Sequence, residues 1–386
     1  MMAFVKRVLA LLVLTLALAA CQVIPSDGAP DRAAPVPEQT QAPEVIGPAL
    51  PTDTGRHRVA LLVPLSGDNA AVGQSIANAT TMALLDTNAQ NLRITTYDTA
   101  GGAREAAARA VADGNRLILG PLMRDDVGEV LAEAREAQVP LVSFSNDVSV
   151  ARADAFVMGH VPEQSVGRTA AFAAERGARR FGALVPGGEY GQRALDALSD
   201  AVQRAGGVLV ASERYDRGNT SIISAAERLR ARGPLDAVLV ADGARLAVSA
   251  AGALREGGEG PTILGPELWS GEEDVARAAA LRGAWFSAVS DDRYRQFSES
   301  YRTRFGERPY RIATLGYDAV LLALRVARAW DPGGRFPVAE LIDDGGFLGI
   351  DGPFRFRSDG VGERAMEVRQ VGSGTVSVVS PAPTQF

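Results

Sequence analysis

Serines, acids and two histidines are the residues of this 386-residue sequence that could do chemistry. Ser143, Ser145 and Asn146 lie together just after an apolar run. A hydroxyl becomes a nucleophile only with a base beside it. His57 and His160 are the only two histidines. His57 stands at the end of a proline-rich stretch, and His160 follows Gly159 in a strand-to-helix turn. No Gly-x-Ser-x-Gly elbow is present. Asp125, Asp126, Asp242 and Glu267 also follow strand-like runs, but nothing in their spacing selects a pair for glycoside hydrolysis. Two isolated histidines and one cysteine do not make a His/Cys metal cluster, and no carboxylate cation loop is signalled. Lys6 is the single lysine, so no Schiff-base, P-loop or Ser–Lys chemistry is available after it. An enzyme is therefore the remote reading. No catalytic residue, metal site or cofactor is expected.

The N-terminus carries a different chemistry. Lys6 and Arg7 precede the uncharged run from Val8 to Ala20, which is shorter than the ~20 residues a membrane span needs. A positive start, an apolar core and small residues at the end make a secretory signal over residues 1–20. Leu18-Ala19-Ala20-Cys21 resembles the lipobox of bacterial lipoproteins. The resemblance implies cleavage before Cys21 and a diacylglycerol on its thiol. An ordinary signal followed by an incidental cysteine is the alternative. Gln22, rather than Asp, follows the cysteine, which in such lipoproteins resembles an outer-membrane address. Cys21 is the only cysteine, so no disulfide can form within the chain, and stability must come from a buried core.

Residues 21–56 read as a tether rich in proline. At ~3.1 Å per residue it reaches roughly 100 Å when extended. The 40 basic and 46 acidic side chains give a formal charge of −6. Loss of Lys6 and Arg7 with the signal makes the remainder more acidic by two charges. The arginines are scattered, so nucleic acid is not an expected partner.

These residues need elements to position them. From Arg58 onward, apolar runs of strand length alternate with helix-like stretches. The runs are Val59–Val63, Ile94–Tyr97, Leu117–Leu119, Leu141–Phe144, Phe156–Met158, Phe181–Val185, Val208–Ala211, Ala237–Val240, Thr262–Leu264 and Ala284–Ala288. Helical periodicity is clear over Val72–Leu85, Arg124–Ala137 and Ala244–Glu256. Apolar strands alternating with amphipathic helices predict an α/β chain with parallel sheets covered on both faces. The alternation runs too long for one sheet, so two doubly wound lobes are predicted. Residues 57–162 with 288–335 form the first lobe, and 163–287 with 336–380 the second. The last third reads as helices over Asp291–Gly306 and Tyr310–Trp330, a short helix near Val338–Ile342, then turns and strands. These late elements are expected to return across the lobes and complete both sheets.

An ordered set of short motifs carries a resemblance. It comprises Val59-Ala-Leu-Leu-Val-Pro-Leu-Ser-Gly67 with Gly73, Tyr97-Asp-Thr99, Leu119-Gly-Pro-Leu122, Val139-Pro-Leu-Val-Ser143, Glu189-Tyr-Gly191, Leu264-Gly-Pro-Glu267 and Gly349-Ile-Asp-Gly-Pro-Phe354. Together, over about Arg58 to Val379, they resemble the type I periplasmic-binding fold of the leucine/isoleucine/valine-binding proteins. Within that fold the motifs look most like the C-terminal domain of outer-membrane lipoproteins that activate class A penicillin-binding proteins. The enterobacterial members carry a helical-repeat domain where this chain has only a linker.

The resemblance implies a ligand cleft between lobes, at strand C-terminal ends and helix N-termini. Its candidates are Ser66, Gly67, Asp125, Asp126, Ser145, Asn146, Tyr190, Asp242 and Glu267. By that likeness Glu267 accepts an ammonium group and Tyr190 walls the cleft. The plainer reading of each is a turn residue or a lobe contact. The segment matching the family's carboxylate grip is Arg124-Asp125-Asp126. Acids facing a carboxylate repel it, although Asp125 and Asp126 also suit the first turn of a helix. The expected function is a non-catalytic, lipid-anchored periplasmic activator of a class A penicillin-binding protein. The alternative is a receptor capturing a small solute for an ABC importer.

Overall fold

The computed structural model describes residues 55–256, 258 and 260–383. The expected signal, Cys21 and all but the last two residues of the tether lie outside the described residues. Among the described residues, no helix is long and apolar enough to cross a membrane.

The first lobe is built on strands β1 (His57–Val63), β2 (Leu92–Asp98), β3 (Leu117–Leu119), β4 (Leu141–Ser143) and β5 (Ala155–Val157). All pair in parallel, in the order β2-β1-β3-β4-β5. Successive side chains of a strand point to opposite faces. Val59, Leu61 and Val63 therefore pack on one side with Ile76 and Ala83 of α1 (Ala70–Asp86). Ala60 and Leu62 pack on the other with α2 (Ala103–Ala112) and α3 (Arg124–Ala134). Both faces are covered, so the strand is apolar throughout.

The second lobe repeats the plan. Its elements are α4 (Pro162–Glu175), β6 (Arg180–Pro186), α5 (Glu189–Arg204), β7 (Val208–Tyr215), α6 (Ser221–Arg230), β8 (Ala237–Val240), α7 (Ala244–Leu254), β9 (Thr262–Gly265), α8 (Glu273–Arg277) and β10 (Trp285–Ala288). One face of the sheet packs with α4 and α5, the other with α6 and α7.

The last third divides between the lobes. Helices α9 (Asp292–Phe305) and α10 (Thr314–Val326) lie over α1. Leu315, Val320 and Leu322 share a core with Val59 and Phe144. Strands β11 (Phe347–Gly349), β12 (Gly352–Phe356) and β13 (Gly362–Arg364) form a separate antiparallel sheet. Its Phe347, Phe354 and Phe356 enter the same first-lobe core, together with Phe336 and Leu341. Strands β14 (Glu367–Val371) and β15 (Val376–Ser380) extend the second sheet in antiparallel sense. The stretch 336–380, expected in the second lobe as a whole, thus splits near residue 365. Phenylalanines draw its first part onto the first lobe. The first sheet also gains no late strand, contrary to expectation. The chain passes between lobes three times, near residues 158–162, 288–291 and 364–367.

Both lobes open on the same device. A Cβ on Gly73 of α1 would lie 1.7 Å from the carbonyl oxygen of Pro64, just after β1. On Gly191 of α5 it would lie 2.0 Å from that of Pro186, at the end of β6. Only glycine lets the helix sit so close to the strand end. Gly73→Ala and Gly191→Ala are each expected to cost about 1–3 kcal/mol, measured as a lower urea midpoint with unchanged far-UV circular dichroism.

Candidate functional site

The C-terminal ends of the strands in the two sheets face each other across a cavity of about 440 Å³. Leu122, Met123 and Arg124, after β3, form one wall. Phe144, Ser145 and Asn146, after β4, adjoin it. Glu267, Leu268 and Ser270, after β9, form the facing wall, and His160, Arg311 and Ile312 close the base. The volume lies within the range of small-molecule sites, and the lining combines five apolar side chains with seven polar or charged ones.

Glu267 is the ionisable group that the second lobe contributes to this cavity. Its side chain is buried. Ser165, on α4, donates its hydroxyl to Oε2, and Tyr190, on α5, donates to Oε1 at 3.0 Å. Burial still raises the Glu267 carboxyl above its ordinary value, against the pull of these two donors. Tyr190 is pushed well up by burial and by Glu267. The Arg217 guanidinium lies over the Tyr190 ring at 5.5 Å and bonds Asp242 at 2.7 Å. Tyr215 also donates to Asp242, at 2.8 Å. Tyr190 and Asp242 thus form a layer that holds Glu267 from behind.

A second cluster lies below the cavity, where the chain crosses between lobes. Asp351 is fully buried. Its oxygens accept from Arg311 at 2.6 Å, from the Thr314 hydroxyl at 2.8 Å and from Nε2 of His160 at 2.9 Å. Arg364, on the third crossing, donates from two nitrogens to the carbonyl of Met158 on the first, at 2.9 and 3.3 Å. Arg369 reaches the second crossing through the Val289 carbonyl at 2.5 Å and through Asp291. It also bonds Glu367 at 2.7 Å. Asp318, also fully buried, accepts from the backbone N–H of Ile350 at 2.5 Å. Burial alone would raise Asp351, but Arg311, His160 and Arg364 outweigh it and hold it far below the ordinary carboxylate range. Burial, and then the charge on Asp351, push Asp318 up to about 7. Burial lowers His160 despite its bond to Asp351. The neutral ring therefore presents an N–H to the carboxylate.

Of the candidates read from sequence, Ser145, Asn146 and Glu267 line the cavity. Tyr190 and Asp242 stand behind it. Ser66 donates to Asp98 at 2.8 Å and so ties the end of β1 to that of β2, while the Gly67 carbonyl accepts from the Ala70 N–H at 3.2 Å. Asp125 is 96% exposed on the first turn of α3, and Asp126 is half-buried beside it. It is Arg124, not these acids, that reaches the cavity wall. Neither Asp125 nor Asp126 is among the residues that line it. Sequence reasoning missed Arg311 and left His160 without a partner, because Asp351 lies 191 positions from His160.

The hydroxyls near the cavity serve the loops. Ser143 donates to the Pro121 carbonyl at 2.9 Å, and Ser145 accepts from Asp147 N–H at 3.1 Å. Among the described residues no hydrogen bond joins either serine to His160, and no cluster of His, Cys, Asp and Glu could hold a metal ion.

Two facing α/β lobes with a cavity between their strand ends define a class of binding protein. Residues 57–375 match the periplasmic binding protein family, and the chain belongs to it. A structure described as a putative branched-chain amino acid ABC transporter of Rhodospirillum rubrum superposes with a TM-score of 0.74 at 20% identity, covering 84% of this chain and all of that one. An uncharacterized protein of Rickettsia prowazekii is 25% identical over 173 residues, 44% of this chain and 46% of that protein. The penicillin-binding protein activator LpoA of Photobacterium profundum is 27% identical over 156 residues, 39% of this chain and 25% of that protein. These matches span less than half the length of each of the two curated relatives.

Asp318 generates a test of the crossing cluster. Its folded value of about 7 lies above the 3.8 of a free carboxyl. The stability it contributes is full below about pH 4 and drains away as the pH rises to about 7. Asp318→Asn keeps a neutral acceptor for the Ile350 N–H. Its melting temperature is expected to gain on the unsubstituted chain from pH 4 to pH 7, and the gap to stay level above that. Thermal melts at stepped pH read this out. A variant that holds level or loses ground against the unsubstituted chain between pH 4 and pH 7 refutes the assignment.

Proposed function

We propose that this chain is a solute-binding protein of the kind that serves ABC importers, taking a small molecule with an apolar body and a cationic end. The observation that carries this reading is the interlobe cavity, where Glu267 faces Leu122, Phe144, Leu268 and Ile312. A buried carboxyl raised by desolvation recovers its charge when an ammonium group docks beside it. Arg124 on the opposite wall suits the anionic end of the same molecule, as in a free amino acid. The fold shared with the Rhodospirillum rubrum structure supports the reading.

A panel of branched-chain and aromatic amino acids in a thermal-shift assay tests it. At ligand concentrations near one hundred times Kd, the stabilisation is expected to be ~2.7 kcal/mol. Glu267→Gln should abolish that shift while leaving the unliganded melt intact or slightly raised at pH 7. A panel without any shift, or a shift indifferent to Glu267→Gln, counts against the proposal.

The likeness to LpoA favours a second reading. In it, a secretory signal over 1–20, a lipid on Cys21 and the tether place the body on the periplasmic side of the outer membrane, where it stimulates a class A penicillin-binding protein. The lipidated chain should then retain such an enzyme and raise its glycan or peptide cross-linking rate. Cys21→Ser should leave the membrane fraction. Absence of both retention and stimulation would sink this reading.

A further inference from the structure

Along one rim of the cavity runs a row of five side chains whose charges alternate in sign. Glu189, the first residue of α5, meets Arg124, the first residue of α3, across the lobes. Arg124 also bonds Asp147 at 3.1 Å, within the first lobe. Asp147 faces Arg193 of the second lobe at 3.8 Å. Arg193 donates to the Asn146 carbonyl across the gap at 2.5 Å and to both oxygens of Glu163 at 2.7 and 2.8 Å within its own lobe. The lobes are thus joined three times within one patch. On another part of the interface an exposed pair, Arg308 with Glu273, joins them again.

Burial sets the middle of this row apart from ordinary surface pairs, whereas its outer pair, Arg124 with Glu189, is 39% and 64% exposed. Exposed ion pairs contribute only ~0.2–1 kcal/mol. Here the side chains of Asp147 and Arg193 are only 6% and 16% exposed. Each inner charge of the row has an opposite charge on either side, which is the condition under which largely buried ions hold rather than destabilise. Asp147 is fixed as well by the Ser149 N–H at 2.8 Å. Burial would raise its carboxyl, but Ser149, Arg193 and Arg124 together bring it below the ordinary value. Glu163, Glu189 and Arg193 stand on two adjacent helices of one lobe, so any opening rotation removes all three at once. It would leave Asp147 with Arg124, the Ser149 N–H and solvent.

We propose that this row is a latch: the chain's own charges hold the lobes closed independently of any ligand, and they set how often the cavity opens to solution. Solute entry then waits on breaking the latch. This goes beyond the binding reading and does not depend on which solute binds.

Hydrogen exchange of the full chain, with no solute added, tests it. The double variant Glu189→Gln/Arg193→Gln removes the cross-lobe charges. Amides of the cavity walls, at 122–124, 144–147 and 268–270, are expected to exchange roughly ten-fold faster, about the sum of three weak links. Amides of β1 and β8 should be unchanged. In the unsubstituted chain, 1 M salt should accelerate the same wall amides, because at that strength solvent-exposed charges such as Arg124 and Glu189 attract each other only within ~3 Å. The salt arm decides the matter if the double variant folds poorly. Wall amides that exchange equally at low and high salt overturn the latch. So do equal rates in the folded variant and the unsubstituted chain.

Discussion

The charge of Asp351 is the constraint on which the two-lobed arrangement rests. A carboxylate without solvent is tolerable only with several donors, and removing one partner of such a set is far costlier than the set is stabilising. Asp351 obtains its donors from two separate stretches and a further positive charge from a third. His160 comes from the first crossing, and Arg311 and Thr314 come from the approach to α10. Arg364 adds its charge from the third crossing, with a nitrogen 4.0 Å away. Satisfying one buried carboxylate therefore fixes where crossings meet, and with them the relation between the facing strand ends. Arg369 does the same for the second crossing through Val289 and Asp291. The cavity sits directly above this ionic floor, and His160 and Arg311 belong to both.

The rim and the floor divide the labour between two kinds of electrostatics. At the floor the charges are buried, hydrogen-bonded and shielded from salt. At the rim they are partly wetted and open to screening. Stiff below and yielding above is what a jaw requires, and here both properties come from arginine and carboxylate. Lysine takes no part, since Lys6 is the only one in the sequence. Arginine suits this work because its planar fork serves two acceptors at once, as Arg193 does for Glu163 and the Asn146 carbonyl.

Much of the fold was legible because parallel strands covered on both faces must be apolar throughout. Runs such as Val59–Val63 and Ala237–Val240 stand out for that reason, and each expected run lies at a strand of the two sheets. The small antiparallel sheet was harder to place. Its strands β11 and β13 are only three residues long. Phe354 and Phe356 alternate with Arg355 and Arg357 along the chain, but nothing local says which lobe they fill. That depends on packing against Val59 and Phe144, roughly 300 and 200 positions earlier. The site was legible to the same extent. Ser145, Asn146 and Glu267 follow strand ends, where ligand sites of this architecture gather. Asp125 looked like a wall residue and faces solvent, because a helix start sends neighbouring side chains in different directions. Arg311 and the partner of His160 had no local signal at all.

Three passages between the lobes is an odd number, and its parity matters. A chain that crosses an even number of times returns to the lobe where it began. This one enters through β1 in the first lobe and leaves through β15 in the second. Its two ends are thus handles on different bodies. Any turn of one lobe on the other therefore changes the separation of β1 and β15, so the distance between the two ends of the described fold reports the angle between the lobes.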